Sequence, residues 1–98
     1  MAKQIIWSPL SETDLEHIFD YLLKNWTQQV AINFLDNIDN LISKIAKNPK
    51  LFPFVNKKRK IRKCVVTKHN SIFYRENKTL IEILRIFDTR QNPQKKKL

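Results

Sequence analysis

Two consecutive stretches of the chain repeat apolar residues at intervals of three and four, the spacing of one face of an α-helix. Their apolar positions are Leu15, Ile18, Phe19, Leu22 and Leu23, followed by Val30, Phe34, Ile38, Leu41, Ile42 and Ile45. The first helix should end near Asn25, which leaves only Trp26 and Thr27 between the two stretches. A connection this short predicts an antiparallel helical hairpin.

Local signals mark where each predicted helix begins and ends. Ser8 is a typical N-cap, and Pro9 takes the first helical position, where a missing N–H costs nothing. Thr27 can cap the second helix, which should run to about Asn48 because Pro49 cannot continue it.

Segments rich in β-branched and aromatic residues flank the hairpin. Residues 4–7 predict a first strand, and residues 61–66, 71–75 and 79–87 predict three more with tight connections. Residues 49–60 contain two prolines and a basic tetrad and predict a loop. The expected fold is therefore α+β, in the order β-α-α-β-β-β. The helical hairpin should pack on one face of a mainly antiparallel, four-stranded twisted sheet.

Positive charge is concentrated in the second half of the chain. Residues 1–40 carry two basic and six acidic residues, a net charge of −4, whereas residues 41–98 carry seventeen basic and three acidic residues, a net charge of +14. The densest run is residues 57–60, followed by Arg62 and Lys63. This uneven distribution of charge predicts a basic face that binds nucleic acid or an acidic segment of a protein.

Composition also excludes several classes of site. The chain contains no glycine, so it cannot form a glycine-rich phosphate loop, and its one cysteine, Cys64, cannot form an internal disulfide. We expect Cys64 to be a small buried hydrophobe. The sequence shows no metal-ligand cluster, so we expect no metal and no cofactor. No apolar stretch is long enough to cross a bilayer, which predicts a cytoplasmic protein with no membrane partner.

Motifs spread along most of the chain resemble those of the RelE/ParE superfamily of toxins. We expect residues 1–90 to form one toxin domain and residues 91–98, which show no apolar periodicity, to form a basic, flexible tail. The motifs are Trp7-Ser8-Pro9, Asp14-Leu15-x-x-Ile18-x-x-Tyr21, Asn48-Pro49, Ile61-Arg62-Lys63, Ile72-Phe73-Tyr74-Arg75, and the segment 83–93 with Arg90 near its end.

The resemblance implies a growth-inhibiting toxin of a type II toxin–antitoxin system. Such a toxin is neutralised by a cognate antitoxin, which wraps an acidic or amphipathic segment around it. ParE-like members act on DNA gyrase and are not nucleases, whereas RelE-like members cut mRNA on the translating ribosome. A third possibility, from the charge alone, is a non-toxic module that binds nucleic acid.

The chain matches only some of the catalytic positions that the resemblance to RelE-like nucleases implies. Arg62 and Arg90 fall on two of the basic positions, but Cys64 and Ser71 fall on two others. No Tyr or His follows Arg90 to transfer a proton. These differences favour a ParE-like toxin that acts on gyrase without nuclease activity. They leave open a metal-independent mRNA endoribonuclease that uses Arg62 and Arg90.

The predicted binding surface for target or antitoxin consists of basic side chains that should converge on one patch. Arginine suits a bidentate grip on carboxylate or phosphate. Phe52-Pro53-Phe54 should either cover an edge of the sheet or anchor a partner. The predicted binding residues are Lys57, Lys58, Arg59, Lys60, Arg62, Arg75, Arg85 and Arg90.

Overall fold

The computed structural model describes residues 3–89, which form two helices and five strands. The first half of the chain supplies one strand and both helices, and the second half supplies the remaining four strands. The elements are β1 (Gln4–Trp7), α1 (Pro9–Asn25), α2 (Gln28–Lys47), β2 (Phe54–Asn56), β3 (Ile61–Val65), β4 (Asn70–Glu76) and β5 (Leu80–Asp88).

The strands form one mixed sheet in the order β1-β5-β4-β3-β2. β1 runs parallel to β5, and the other three neighbouring pairs are antiparallel. Both helices contribute to a core on one face of this sheet. The predicted α+β fold, with a helical hairpin on a mainly antiparallel sheet, is therefore confirmed.

The sheet has five strands, whereas the sequence predicted four. The additional strand, β2, lies in the segment 49–60 that was expected to be a loop, and it pairs with β3 through Phe54 opposite Arg62. Three residues between Pro53 and a basic turn are too few to show strand periodicity in the sequence. β2 is therefore a strand only because β3 supplies its hydrogen-bonding partner.

Both predicted helix caps are present. The Oγ of Ser8 accepts a hydrogen bond from the backbone N–H of Ser11 at 3.0 Å, and Thr27 Oγ1 accepts one from Val30 at 3.1 Å. Ser8 also donates from its hydroxyl to the carbonyl oxygen of Leu84 at 2.9 Å. The start of α1 is thereby fixed to β5 as well as capped.

The main core joins the hairpin to one face of the sheet. Each fully buried isoleucine contributes about 2–3 kcal/mol, so most of the fold's stability comes from this layer. Cys64 is fully buried within it, as predicted. The core residues are Ile18, Leu22, Ala31, Phe34, Ile38, Ile45, Cys64, Ile72, Tyr74, Ile81, Ile83 and Ile86.

The basic turn between β2 and β3 contains a strained residue. Lys60 has a φ of 60°, the left-handed region that favours glycine, and no other non-glycine residue in the range 3–89 has a positive φ. The turn is held by a bond from the Lys60 N–H to the Lys57 carbonyl and by Asn56, whose side chain accepts from the Arg59 N–H. With no glycine available, the chain places a lysine where a Cβ is unfavourable.

We expect Lys60→Gly to raise the free energy of unfolding by about 0.5–1 kcal/mol, because relief of strain exceeds the entropy that glycine adds to the unfolded chain. Urea denaturation measures the change. Lys58→Gly is the matched control, since Lys58 has no positive φ to relieve and the same substitution there should destabilise. Equal effects at both positions would contradict the assignment of strain to Lys60.

Candidate functional site: the open face of the sheet

Neither helix packs over the second face of the sheet within residues 3–89, and we call this surface the open face. Strand alternation and register place three rows of side chains across β3, β4 and β5 on it. The rows are Ile61–Arg75–Glu82, Lys63–Phe73–Arg85 and Val65–Ser71–Phe87. Two of the predicted arginines, Arg75 and Arg85, are thus brought together with a lysine.

Aromatic rings support the cations of the open face. Phe73 and Phe87 meet edge to face, with ring centroids 5.2 Å apart and an interplanar angle of 89°. The guanidinium carbon of Arg85 lies 4.7 Å from the Phe87 centroid, and Lys63 Nζ lies 5.9 Å from that of Phe73. Cation–π attraction therefore holds two positive charges above a small apolar cluster.

Arg85 is fixed by a carboxylate from α1. Its Nε and Nη2 donate to the two oxygens of Asp14 at 2.7 and 2.9 Å, and Asp14 Oδ2 also accepts from the backbone N–H of Ile86 at 3.0 Å. These hydrogen bonds raise the pKa of Arg85 above its usual value. Asp14 therefore holds Arg85 in one orientation at the edge of the open face.

Arg75 is held more loosely. Its Nη2 lies 3.2 Å from Glu82 Oε1 and its Nε lies 3.4 Å from the same oxygen, so the contact is longer than that of Arg85. The side chains of Arg75 and Glu82 retain 40% and 35% exposure, against 22% and 13% for Arg85 and Asp14. An exposed pair of this kind contributes little stability, so Arg75 can exchange Glu82 for a carboxylate or phosphate of a partner.

Arg62 does not lie on the open face. It shares the helix side of the sheet with Cys64 and Tyr74, and its Nη1 donates to the Phe52 carbonyl at 2.7 Å. Its guanidinium carbon stacks 3.8 Å from the centroid of the Phe54 ring. Arg62 thus fastens the segment before β3 to the sheet, on the opposite side from Arg75 and Arg85.

The other predicted cations occupy separate places. Lys57, Lys58, Arg59 and Lys60 are exposed in the turn before Ile61, beside the row that contains Arg75, and none of their side chains has an ion-pair partner within residues 3–89. Arg90 lies outside the described residues, as does the predicted tail. Lys63 lies on the open face but is not among the predicted binding residues. Strand alternation is the signal that could have identified it, because alternation places Lys63 on the face opposite Arg62.

Groups able to transfer a proton are scarce on the open face. In the range 3–89 it carries no histidine or tyrosine, and its one carboxylate, Glu82, is held by Arg75. Tyr74 points to the helix side, where its hydroxyl donates to the Pro49 carbonyl at 2.7 Å and burial raises its pKa to about 12. Burial likewise raises the pKa of Cys64 to about 11, which keeps the thiol protonated and unreactive at neutral pH.

The described part of the chain offers neither a metal-binding cluster nor a membrane-spanning helix. Residues 3–89 contain no group of three or more His, Cys, Asp or Glu side chains placed to hold a metal ion. Over the same residues, neither helix combines the length and apolar character needed to span a membrane.

Fold and site together define a class of small α+β domain, with a helical hairpin on one face of the sheet and aromatic-supported cations on the other. The chain belongs to the ParE toxin family, whose model, described as ParE toxin of type II toxin–antitoxin system, parDE, matches residues 5–93. This confirms the resemblance found in the sequence. No curated protein sequence matches the chain significantly.

Solved structures share the fold at low sequence identity. The chromosomal ParDE toxin–antitoxin system of P. aeruginosa aligns with a TM-score of 0.75 and 17% identity, over 89% of this chain and 96% of that one. A YoeB/ParE toxin from Agrobacterium tumefaciens gives 0.65 and 13%, over 87% and 96%. The E. coli DinJ-YafQ toxin–antitoxin complex gives 0.65 and 12%, over 94% and 98%. At these identities the likeness concerns the fold.

Proposed function

We propose that this chain is a toxin that a cognate antitoxin neutralises, and that its target is DNA gyrase, which it inhibits without cleaving RNA. The observation that carries the proposal is the chemistry of the open face, which offers Lys63, Arg75 and Arg85 for binding anionic groups but no tyrosine or histidine for proton transfer within residues 3–89. Cleavage of RNA at the 2′-hydroxyl needs both a base and an acid.

An antitoxin partner follows from charge and from the relatives. The net charge of +10 leaves a surface that an acidic segment can neutralise, and the exposed cations of residues 57–60 extend that surface beside Arg75. Two of the similar structures, from P. aeruginosa and E. coli, are described as toxin–antitoxin assemblies. We therefore place the antitoxin contact on the open face and the adjoining turn.

Purified full-length chain should inhibit supercoiling of relaxed plasmid by gyrase, while a cell-free translation reaction at the same toxin concentration continues with intact mRNA. Lys63→Glu should weaken the inhibition at least about tenfold because it reverses a charge on the binding face. Lys24→Glu, an exposed change on α1, is the control and should leave inhibition unchanged.

The alternative outcomes are distinct. Arrest of translation with cut mRNA and normal supercoiling would show a RelE-like endoribonuclease and overturn the gyrase proposal. Binding of naked nucleic acid by the chain, without effect on either reaction or on growth of a host that expresses it, would favour a non-toxic nucleic-acid-binding module. Equal effects of Lys63→Glu and Lys24→Glu would show that the open face is not the contact.

A further inference from the structure

The free edge of the sheet carries exposed apolar side chains. β2 ends the strand order, and no element pairs with its outer side within residues 3–89. Leu51, Val55 and Val65, which lie on β2, before it and on the neighbouring β3, are 50%, 51% and 59% exposed, and Pro53 is exposed between the first two. Single exposed apolar residues are ordinary, but four on two adjacent segments form a surface that we call the apolar edge.

The fold holds these side chains outward. Phe52 packs against the main core, and Phe54 is stacked by the Arg62 guanidinium, so the residues that alternate with them are left in solvent. Arg62 also donates to the Phe52 carbonyl, and the N–H of Lys63 donates to the Pro53 carbonyl at 3.1 Å. The segment before β2 is thereby fastened to β3, and the apolar edge is formed without a partner.

Cations surround the apolar edge. The exposed basic turn, residues 57–60, follows Val55, and Lys68 is exposed in the turn after Val65. Lys63 lies between them, on the same side of β3 as Val65. The sequence has no aspartate or glutamate from residue 40 to residue 75, so no acidic side chain interrupts the basic ones in this part of the chain. The edge therefore combines protruding aliphatic groups with positive charge.

This combination distinguishes among partners. A second copy of the chain would bring its own basic turn against this one, and like charges oppose that contact. Nucleic acid would neutralise the cations but would gain little from aliphatic side chains, which neither stack on bases nor bond to phosphates. A peptide strand added to the edge would pair with only three residues, whose register is already irregular. An anionic bilayer surface accepts both features, because its hydrocarbon takes up aliphatic groups and its headgroups attract cations.

We propose that the apolar edge binds the surface of a bilayer that contains anionic lipids. Leu51, Val55 and Val65 enter the boundary between headgroups and acyl chains, while Lys63 and the basic turn lie against lipid phosphates and carboxylates. We expected no membrane partner because no segment of the sequence could cross a bilayer, but a surface contact does not require a spanning segment. This inference does not depend on which enzyme the toxin inhibits.

The test is co-sedimentation of the full-length chain with vesicles made of equal parts of phosphatidylcholine and phosphatidylserine, or of phosphatidylcholine alone. We expect binding to the mixed vesicles to be at least about tenfold tighter and to weaken as salt is added. A polarity-sensitive dye attached to Val55→Cys should shift its emission to the blue on the mixed vesicles, whereas the same dye on Leu10→Cys should not. Cys64 is buried and stays unlabelled.

A matched pair of apolar variants separates insertion from general effects. Leu51→Ser combined with Val65→Ser should weaken binding to the mixed vesicles at least about tenfold. Leu10→Ser combined with Leu23→Ser should not, although these two side chains on α1 are 59% and 41% exposed. The first pair should leave binding to a DNA duplex unchanged, because binding to phosphates uses the cations.

A matched pair of charge variants tests the basic turn. Lys58→Glu should weaken binding to the mixed vesicles at least about tenfold, whereas Lys24→Glu, an exposed change on α1, should alter it less than about threefold. Equal binding to both kinds of vesicle, equal losses within either pair of variants, or an unshifted dye at residue 55 would overturn the proposal. Apolar variants that weaken DNA binding as much as vesicle binding would assign the edge to nucleic acid instead.

Discussion

Asp14→Asn should lower the free energy of unfolding by about 2–3 kcal/mol, because Asp14 joins α1 to β5 through three hydrogen bonds. Asparagine keeps one acceptor oxygen, but in either orientation its NH₂ group faces an N–H of the Arg85 guanidinium. Removing one member of a buried charged pair costs about 3–5 kcal/mol, and the residual exposure of this pair reduces the expected figure.

Urea denaturation of the wild type and the variant measures this loss. Glu82→Gln is the matched control, since the pair of Glu82 with Arg75 is longer and more exposed, and its loss should cost less than about 1 kcal/mol. In a double-mutant cycle with Arg85→Met, the double variant should lose less stability than the sum of the two single losses. If Asp14→Asn lowers the free energy of unfolding no more than Glu82→Gln does, Asp14 does not stabilise the contact between α1 and β5.

Asp14→Asn should also weaken inhibition of the proposed target, because Asp14 orients Arg85 on the proposed binding face. Without Asp14, the Arg85 side chain loses the carboxylate that orients it and retains the cation–π contact with Phe87. A variant that is still folded at the assay temperature would then show weaker target binding. This separates the positioning of Arg85 from its charge.

Stability should fall steeply in alkaline solution, by about 3 kcal/mol between pH 8 and pH 11. Burial raises the pKa of Cys64 from 9.0 to about 11 and that of Tyr74 from 10.0 to about 12. Both groups are acids whose pKa is raised in the folded state, so each contributes its full share of the free energy of unfolding below its unfolded-state pKa. Cys64 loses this share from pH 9 to about 11, and Tyr74 loses it from pH 10 to about 12, because the unfolded chain releases these protons first.

The cations near these groups oppose the effect without reversing it. Lys44 lowers the pKa of Cys64 and Arg62 lowers that of Tyr74, but burial is the larger influence at each site. The Tyr74 hydroxyl also loses its hydrogen bond to the Pro49 carbonyl when it ionises. Ionisation would therefore release the segment before β2 as well as place a charge in the core.

Urea denaturation at pH 8, 9, 10 and 11 tests this dependence. The double variant Cys64→Ala and Tyr74→Phe should be less stable than the wild type at pH 8 but should lose less stability on going to pH 11. In a Tyr21→Phe background, which leaves Tyr74 as the single tyrosine, absorbance at 295 nm should rise only as the chain unfolds. A double variant with the same alkaline slope as the wild type would contradict the assignment to these two buried groups.

Several features of the site could be predicted and others could not. Strand alternation places Arg62 and Cys64 on one face of β3 and Lys63 on the other, and the register agrees with it. Alternation does not indicate which face of the sheet the helices cover. The predicted binding surface therefore included Arg62 together with Arg75 and Arg85, whereas in the structure Arg62 lies on the opposite face of the sheet. The pairing of Arg85 with Asp14 joins residues 71 apart, and no local pattern marks it.

The helical hairpin, its caps, the meander of β3, β4 and β5, and the basic character of the second half were all predictable from the sequence, because periodicity, capping and charge are local properties. The strand β2 and the structural position of Arg62 became evident only in the folded chain. These outcomes depend on contacts between segments distant in the chain, whose geometry is fixed only when the hairpin packs on the sheet and its core closes.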